Sequence, residues 1–523
     1  MNAPLIIGTR GSDLALWQAR HLEALLQEKG ISSSIKIIKT KGDEIQNLGF
    51  DKMEGKGFFT KEIEDALLNR ECDIAVHSQK DLPTDPVPGL IIAGHSYREN
   101  PSDVLLIRKE FFADRMPLSL TKNARVGTSS SRRKAQLLSH RPDLNISDLR
   151  GNVPTRIQKL KEGKYDAILL AAAGIERLNP DLEEFEQVIL PPEEFVPAPA
   201  QGIIAFQTRE EEKEIIAALE SVSDKTSAFA AKTERQLLAM MDGGCQLPLG
   251  VYYEADTDAE GNPVHNLHVS FAPSAQLPSL FYFFQAQDPE ALPQKAHQKI
   301  KSLQGKNIFI SREKKPHDRF SSVLEAHGFQ VDSVPLIEIK PLDFNVSENF
   351  DWVFFSSKNA VKYFFEKKPM LSDKIRFGVI GSATAFELRK FGKRAEFIGQ
   401  STDTKLIGKQ FSARVGKARV LFPTAKESKR SIQNQLTTRE AAIDLPVYET
   451  LTHTKKLEKK YDILVFTSPS NVEAFFGGGN RITDEKVIAM GEATAHTIYK
   501  NKGRVSAQPP AFNDLGLIKA VLS

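Results

Sequence analysis

Asp73-Ile74-Ala75-Val76-His77-Ser78-Gln79-Lys80-Asp81 is a short apolar strand, Ile74 to Val76, that runs straight into polar and charged side chains. In open α/β sheets, ligands sit outside the carboxyl ends of strands, at junctions of this kind. Working outward, Leu5-Ile6-Ile7-Gly8 reads as another strand. Residues 13–27 read as a helix, with Leu14, Leu16, Trp17, Leu22, Leu25 and Leu26 at helical spacing. Residues 35–38, 125–127 and 165–171 are strand-like, and helical patterns open at Lys61 and Arg132. Such alternation predicts twisted α/β sheets with helices on their faces.

Near residue 245 the texture changes. Residues 249–253, 267–271 and 280–284 look like three strands separated by turns such as Glu260-Gly261-Asn262-Pro263, and a helix follows over 291–303. That predicts a small α+β domain. At Lys306 the α/β pattern restarts with Asn307-Ile308-Phe309-Ile310 after a short joint. The second part repeats itself. Asp351-Trp352-Val353-Phe354-Phe355-Ser356-Ser357 recurs as Asp462-Ile463-Leu464-Val465-Phe466-Thr467-Ser468, and Gly381-Ser382-Ala383-Thr384-Ala385 as Gly491-Glu492-Ala493-Thr494-Ala495. Two copies predict two similar α/β domains, not a solenoid.

The chain has 523 residues, too many for one core, so several compact units are expected. Its net charge of +3 points to neither nucleic acid nor membrane, and any basic site must be a local cluster. Two cysteines, Cys72 and Cys245, argue against a disulfide framework and for a reducing compartment. No apolar run reaches the roughly 18 residues that span a bilayer. A cytoplasmic protein is expected, while its oligomeric state is not legible.

Four junctions gather polar groups: Thr9-Arg10-Gly11-Ser12, His77 to Asp81, Gly127-Thr128-Ser129-Ser130-Ser131-Arg132-Arg133, and Arg150-Gly151-Asn152-Val153-Pro154-Thr155-Arg156. Helix N-termini and hydroxyls there offer donors to anions, and arginine grips carboxylate or phosphate bidentately. Five arginines (Arg10, Arg132, Arg133, Arg150, Arg156) in such turns predict one cleft for a polyanion, although any one alone reads more readily as solvated surface. Asp81 is either a helix cap or a catalytic carboxylate. His77 and Cys72 read as core residues. Cys245, after Gly243-Gly244, is either an exposed reactive thiol on a tight turn or a buried inert one. No Cys/His spacing suits a metal, and no phosphate-binding loop is present.

Residues 9–19 (Thr-Arg-x-Ser-x-Leu-Ala-Leu-Trp-Gln-Ala) resemble the opening of porphobilinogen deaminases. The resemblance continues in family order through 73–81, Gly127 to Ser130 with Arg132-Arg133, Leu149-Arg150-Gly151-Asn152-Val153, Pro197-Ala198-Pro199-Ala200-Gln201-Gly202 and Gly243-Gly244-Cys245. One departure is Phe206-Gln207-Thr208-Arg209, where the family commonly has an acidic residue; packing rather than chemistry should feel it. The resemblance implies two periplasmic-binding-protein-like lobes, residues 1–100 plus 200–220 and residues 101–199, and an α+β domain over 221–305. It also implies joining of four porphobilinogens, with loss of ammonia, into hydroxymethylbilane on a dipyrromethane cofactor held as a thioether by Cys245. Asp81 would be the catalytic carboxylate. Lys80, Thr128, Ser129, Ser130, Arg132, Arg133 and Gly151 would hold the cofactor. Arg10, Ser12, Arg150, Arg156 and, in the glycine-rich stretch 53–59, Lys56 would meet substrate carboxylates.

The second part resembles uroporphyrinogen-III synthases in Ile310-Ser311-Arg312, the Phe-Ser/Thr-Ser and Gly-x-x-Thr-Ala turns, and Val447-Tyr448-Glu449-Thr450. This implies one domain of residues 306–342 plus 452–523, a second of 343–451 with the connection, and closure of hydroxymethylbilane to uroporphyrinogen III. Tyr448 matches the tyrosine nearest the leaving hydroxyl; a phenol, ordinarily of pKa about 10, would donate a proton. It reads equally as a strand tyrosine packing between domains. Ser357, Ser468, Thr384 and Thr494 are the expected carboxylate binders. The rival readings are a deaminase with an inert C-terminal module, a two-lobed ligand sensor, and phosphate chemistry in the arginine cleft. The last lacks a metal-binding carboxylate cluster.

Overall fold

A computed structural model describes residues 3–40, 60–242, 246–258, 260–314, 318–346, 349–401, 403–428 and 430–523. Residues 1–306, 317–330 and 513–523 form one compact unit, and residues 307–316 and 331–512 a second.

The strands of the first unit are β1 (Leu5–Thr9), β2 (Ser33–Ile37), β3 (Ile74–Ser78), β4 (Leu90–His95), β5 (Asp103–Arg108), β6 (Arg125–Gly127), β7 (Asn145–Ser147), β8 (Ala167–Ala171), β9 (Phe185–Leu190), β10 (Ile204–Arg209), β11 (Leu249–Thr257), β12 (Pro263–Phe271) and β13 (Leu280–Ala286). They build two five-stranded sheets, β2-β1-β3-β10-β4 and β7-β6-β8-β5-β9, and a three-stranded sheet, β11-β12-β13. In each five-stranded sheet four strands share one direction and one inner strand, β10 or β5, runs against them. The chain leaves the first sheet after β4, builds the second, and returns as β10. Segments 96–102 and 191–203 therefore cross between two lobes.

The first lobe closes around Ile7, Leu22, Leu26, Val76 and Phe206, all buried. Each such side chain stabilises the fold by about 1.5–3 kcal/mol through apolar burial. The 206–209 departure lies in that sheet's interior. Gln207, 5% exposed, joins His77 Nε2 at 3.1 Å and donates to Glu64 Oε1 at 3.1 Å. Helix Leu292–Leu303 belongs with the antiparallel sheet, and helices Arg319–Ala326 and Asp514–Leu522 belong to this first unit as well. His327, at the end of the former, reaches the Pro278 carbonyl at 2.7 Å.

The second unit contains β14 (Asn307–Ile310), β15 (Gln330–Ser333), β16 (Ile337–Pro341), β17 (Trp352–Phe355), β18 (Arg376–Ile380), β19 (Phe397–Gly399), β20 (Val420–Ala425), β21 (Ala442–Thr452), β22 (Ile463–Phe466) and β23 (Lys486–Ala489). Its sheets are β15-β14-β22-β23 and β16-β21-β20-β17-β18-β19. Strand β21 pairs in parallel with β20 through its first half and antiparallel with β16 through its second; Tyr448 stands where the two pairings meet. The internal repeat is structural. Ser357 caps helix Lys358–Glu366 after β17, and Ser468 caps helix Pro469–Gly477 after β22. Gly381 and Gly491 have φ of +74° and +92°, which is why each Gly-x-x-Thr-Ala turn opens with glycine.

Candidate active site

Helix Ser131–His140 follows β6, and its N-cap Ser130 accepts from the Arg133 amide at 3.4 Å. Arg132 and Arg133 therefore lie in the first turn, and both are buried. Both reach one carboxylate, Asp103 at the start of β5, which is 0% exposed. Arg132 Nη1 lies 2.8 Å from Oδ2, and Arg133 Nη2 lies 2.6 Å from Oδ1. Burial opposes the charge on Asp103, but the two guanidiniums prevail and hold it well below the usual carboxylate range. Burial destabilises the charge on Arg132, with Asp103 opposing. Two cations on one anion leave a buried positive excess, and among the described residues Arg132 Nε has no partner. An uncompensated buried charge is costly, so the arrangement favours a further anion.

Lys80 and Asp81 stand in a short turn, Gln79–Asp81, at the end of β3. Burial pushes the Lys80 ammonium down to about 8; Asp81 and Asp103 pull it up, Arg133 and Arg132 press it lower. Burial, reinforced by Arg133 and opposed by Asp81, likewise lowers Arg156 to about 10. Two carboxylates, Asp81 and Asp103, and four cations thus share an electrostatic neighbourhood at the strand ends. Arg10 follows β1 directly, and β1 runs parallel to β3, so Arg10 lies at the same end of that sheet. Ser12 caps helix Asp13–Glu28. Ser129 donates to the Leu149 carbonyl at 2.9 Å, and Thr128 Oγ1 accepts from the Ser130 amide at 3.2 Å. The first bond ties the hydroxyl turn to the residue before the Arg150–Arg156 turn, and the second braces the hydroxyl turn itself. There Arg156 Nε donates to the Gly151 carbonyl at 2.7 Å, and Lys159 to that of Arg150 at 2.8 Å.

Cys245, Gly243, Gly244, Lys56 and the rest of 53–59 lie outside the described residues. The neighbours of the cysteine turn, Asp242 and Gln246, line an open groove of about 420 Å3 with Ser131, Pro248 and Ser274. Ser131 begins the helix that carries Arg132 and Arg133.

Two residues of this site carried no signal of their own in the sequence reading. Asp103 is one acidic residue at the head of an apolar strand. Gln201 sits inside a quoted motif without an assigned role, yet it is 1% exposed and bonds both Lys80 and Asp103. His77 and Cys72 are core residues, as read. Burial pushes His77 down to about 4, partly offset by its bond to Gln207, and pushes the Cys72 thiol up to about 11. His95 is pushed down to about 4 by burial and Arg235. Both histidines bind protons more readily once unfolded, where the ordinary value is about 6.5. Stability of the first unit should therefore fall as pH drops from about 6.5 towards about 4. Urea midpoints at pH 7.5 and pH 5 check this, and equal midpoints would contradict it.

In the second unit, Tyr448 is buried and its hydroxyl lies 3.3 Å from Ser357 Oγ, which also accepts from the Ala360 amide at 3.1 Å. Ser468 belongs to the other sheet's repeat, where its oxygen accepts from the Asn471 side chain at 2.8 Å. Thr494 is 1% exposed and donates to the Met490 carbonyl at 3.2 Å. Thr384 is 5% exposed in the first turn of helix Gly381–Lys390. Ser357 and Tyr448 are brought together, whereas the two threonines are buried against their own turns. Beside Thr384 an open groove of about 610 Å3 is lined by Lys358, Ser382, Phe386, Arg389 and Gln400.

Among the described residues no helix is long and apolar enough to cross a membrane, and no group of His, Cys, Asp and Glu could hold a metal ion. Fold and site define a two-lobed α/β unit with a net-cationic group of Lys80, Arg132, Arg133 and Arg156 around Asp81 and Asp103, followed by a repeat-built α/β unit. Residues 5–217 match the family model "Porphobilinogen deaminase, dipyromethane cofactor binding domain", and residues 318–519 match "Uroporphyrinogen-III synthase HemD". The porphobilinogen deaminase of Syntrophomonas wolfei is 47% identical over 247 residues, spanning 47% of this chain and 79% of that protein. The probable porphobilinogen deaminase of Methanosarcina acetivorans is 44% identical over 257 residues, 49% of this chain and 78% of that one. The chain belongs to the porphobilinogen deaminase family, and it carries a uroporphyrinogen-III synthase domain behind the deaminase. Both domains place it in tetrapyrrole biosynthesis, with porphobilinogen and hydroxymethylbilane as substrates. Among solved structures, the uroporphyrinogen-III synthetase of Helicobacter pylori aligns with TM-score 0.32 at 19% identity, over 40% of this chain and 96% of that one. An arginine-specific periplasmic binding protein of Salmonella typhimurium aligns with TM-score 0.26 at 13% identity, over 43% and 94%.

Proposed function

We propose that this chain performs two consecutive reactions, with residues 1–305 forming the deaminase and 306–523 the synthase. The deaminase divides into lobes 1–100 plus 200–220 and 101–199, with 221–305 as the attachment domain. The synthase divides into 306–342 plus 452–523 and 343–451. The observation that carries the reading is the single neighbourhood of Lys80, Arg132, Arg133, Arg156 and Asp81. Its excess of positive charge, with Arg132 and Arg133 buried, and an Arg132 Nε that has no partner among the described residues fit a group rich in carboxylates. Lys80, Arg132, Arg133, the 128–130 hydroxyls and the Gly151 turn hold the dipyrromethane, attached as a thioether to Cys245. Bound there, the cofactor supplies the nucleophilic pyrrole carbon on which the chain grows.

Asp81 does the deaminase chemistry. Loss of ammonia from porphobilinogen leaves a cation delocalised onto the pyrrole nitrogen, and a fixed carboxylate stabilises that charge and handles its proton. Arg10, Ser12, Arg150, Arg156 and Lys56 orient the acetates and propionates. In the synthase, the Ser357-bound Tyr448 donates a proton to the departing hydroxyl. The turns at Ser357, Ser468, Thr384 and Thr494 bind carboxylates, through backbone N–H groups where the hydroxyl is already bonded inward. Holding the last pyrrole turned against its neighbours removes rotational freedom before ring closure.

The experiment feeds porphobilinogen to the intact chain, oxidises the product and separates ring isomers. A cut near residue 304 would strip helices Arg319–Ala326 and Asp514–Leu522 from the first unit. Point variants are therefore the better comparison. The wild type should give mainly the type III ring. Tyr448→Phe should slow enzymatic closure by roughly 10²-fold and let type I accumulate. Mainly type I from the wild type would mean that the second part is not an active synthase.

A further inference from the structure

Gln201 occupies a place that only a carboxamide suits. Its Nε2 donates to the carbonyls of Pro101 (2.7 Å) and Ser102 (3.3 Å) and to Asp103 Oδ1 (3.0 Å), while its Oε1 accepts from Lys80 Nζ at 3.3 Å. Lys80 lies in the turn after strand β3 of the first lobe, Asp103 begins a strand of the second, and Gln201 lies on the return segment between them. The backbone here is over-determined. Ala200 has φ +62°, a conformation that costs a side-chain-bearing residue and persists where surroundings enforce it. Its amide is held by Glu234 Oε2 at 2.6 Å. The Gln201 carbonyl accepts from Arg98 Nε at 3.0 Å. A Cβ on Gly202 would meet the Glu99 carbonyl at 2.5 Å. Strain and packing combine to aim one amide across the lobes.

We propose that Gln201 is a positioning residue of the deaminase cleft: it fixes the Lys80 ammonium against the Asp103–Arg132–Arg133 group, where incoming carboxylates meet it. This rests on the deaminase reading. The charged groups acting on Lys80 are Asp81 beside it, Asp103 on β5, and Arg132 and Arg133 on helix Ser131–His140. Against that field the amide oxygen supplies a neutral acceptor. It steadies the ammonium without neutralising it, so the charge stays available to substrate.

Two near-isosteric changes move Lys80 in opposite directions. Gln201→Glu adds negative charge beside the ammonium and strengthens proton binding there, while its second oxygen replaces the donor to Asp103 and two carbonyls at a cost that the melting temperature records. Gln201→Met removes the acceptor and weakens it. The measurement is the pH profile of porphobilinogen consumption by the full-length holoprotein, with kcat and KM separated and melting temperatures recorded. The wild-type basic limb should lie near the value of about 8 that burial gives Lys80. Gln201→Glu should move it to higher pH and Gln201→Met to lower pH. Gln201→Met should raise KM about tenfold with kcat nearly kept, as expected for loss of a hydrogen bond to a charged group. A merely structural role would move both limbs alike or neither. Should Gln201→Met fail to fold, Gln201→Asn, whose oxygen is withdrawn by one methylene, is expected to shift the limb in the Met direction. The proposal is overturned if a folded Met or Asn variant keeps the wild-type limb and KM, or if the Glu variant shifts the same way. A wild type that consumes no porphobilinogen would instead overturn the deaminase reading itself.

Discussion

Cys245→Ser is expected to abolish polymerisation and to remove a covalent dipyrromethane from the purified protein. A serine hydroxyl is a far poorer nucleophile than a thiol and would not form the linkage. Without a tether the growing chain has no fixed end, and the cationic cleft can only bind and release single pyrroles. Asp242 and Gln246, which flank the Cys245 segment in sequence, line one groove with Ser131, and the two residues after Ser131, Arg132 and Arg133, carry an excess of buried positive charge. That location suits a tethered polycarboxylate. Cys72→Ala is the internal control. Cys72 is buried, and burial holds its thiol up at about 11, so it is almost entirely protonated at neutral pH and sealed from solvent. Its loss should leave adduct and turnover intact at some cost in packing. Intact mass and porphobilinogen consumption of the three proteins decide the matter. An unmodified, fully active wild type would sink the idea.

Asp81→Asn should lower kcat by about 10² to 10⁴-fold while leaving KM within a few-fold, because the lost charge stabilises a cation that exists only along the reaction path. Its surroundings add a second signature. Asp81 supports the charged forms of both Lys80 and Arg156. Removing it lets the Lys80 ammonium titrate lower still, below about 8. The residual activity should therefore fall off at a lower pH than in the wild type, so the variant loses relatively more at pH 8 than at pH 6.5. Rates across that window, with circular dichroism confirming the fold, test both points. Ordinary turnover in Asp81→Asn would reduce the residue to a turn carboxylate.

Much of this molecule is legible in its sequence. Helix Lys61–Leu68 and strands Arg125–Gly127 and Asn307–Ile310 coincide with their sequence patterns. Where they differ the difference is tertiary. Strand β12 begins at Pro263 rather than Leu267 because pairing with β11 continues to Thr257 across the turn. The two Gly-x-x-Thr-Ala turns were legible as a repeat, but not that Thr494 directs its hydroxyl to Met490. Nor could sequence spacing place helices Arg319–Ala326 and Asp514–Leu522 with the first unit.

By itself the sequence determined what depends on neighbours along the chain. Apolar periodicity, serine caps three residues ahead of the amides they accept from, glycines at positive φ, and the cationic turns at strand ends are all local, so residue type and spacing express them. Tertiary structure alone decided which of those cations are paired. Asp103 lies 29 and 30 residues from Arg132 and Arg133, and Gln201 lies 121 residues from Lys80. A buried charge must find its partner wherever the fold delivers one, and that partner leaves no periodic trace in the chain.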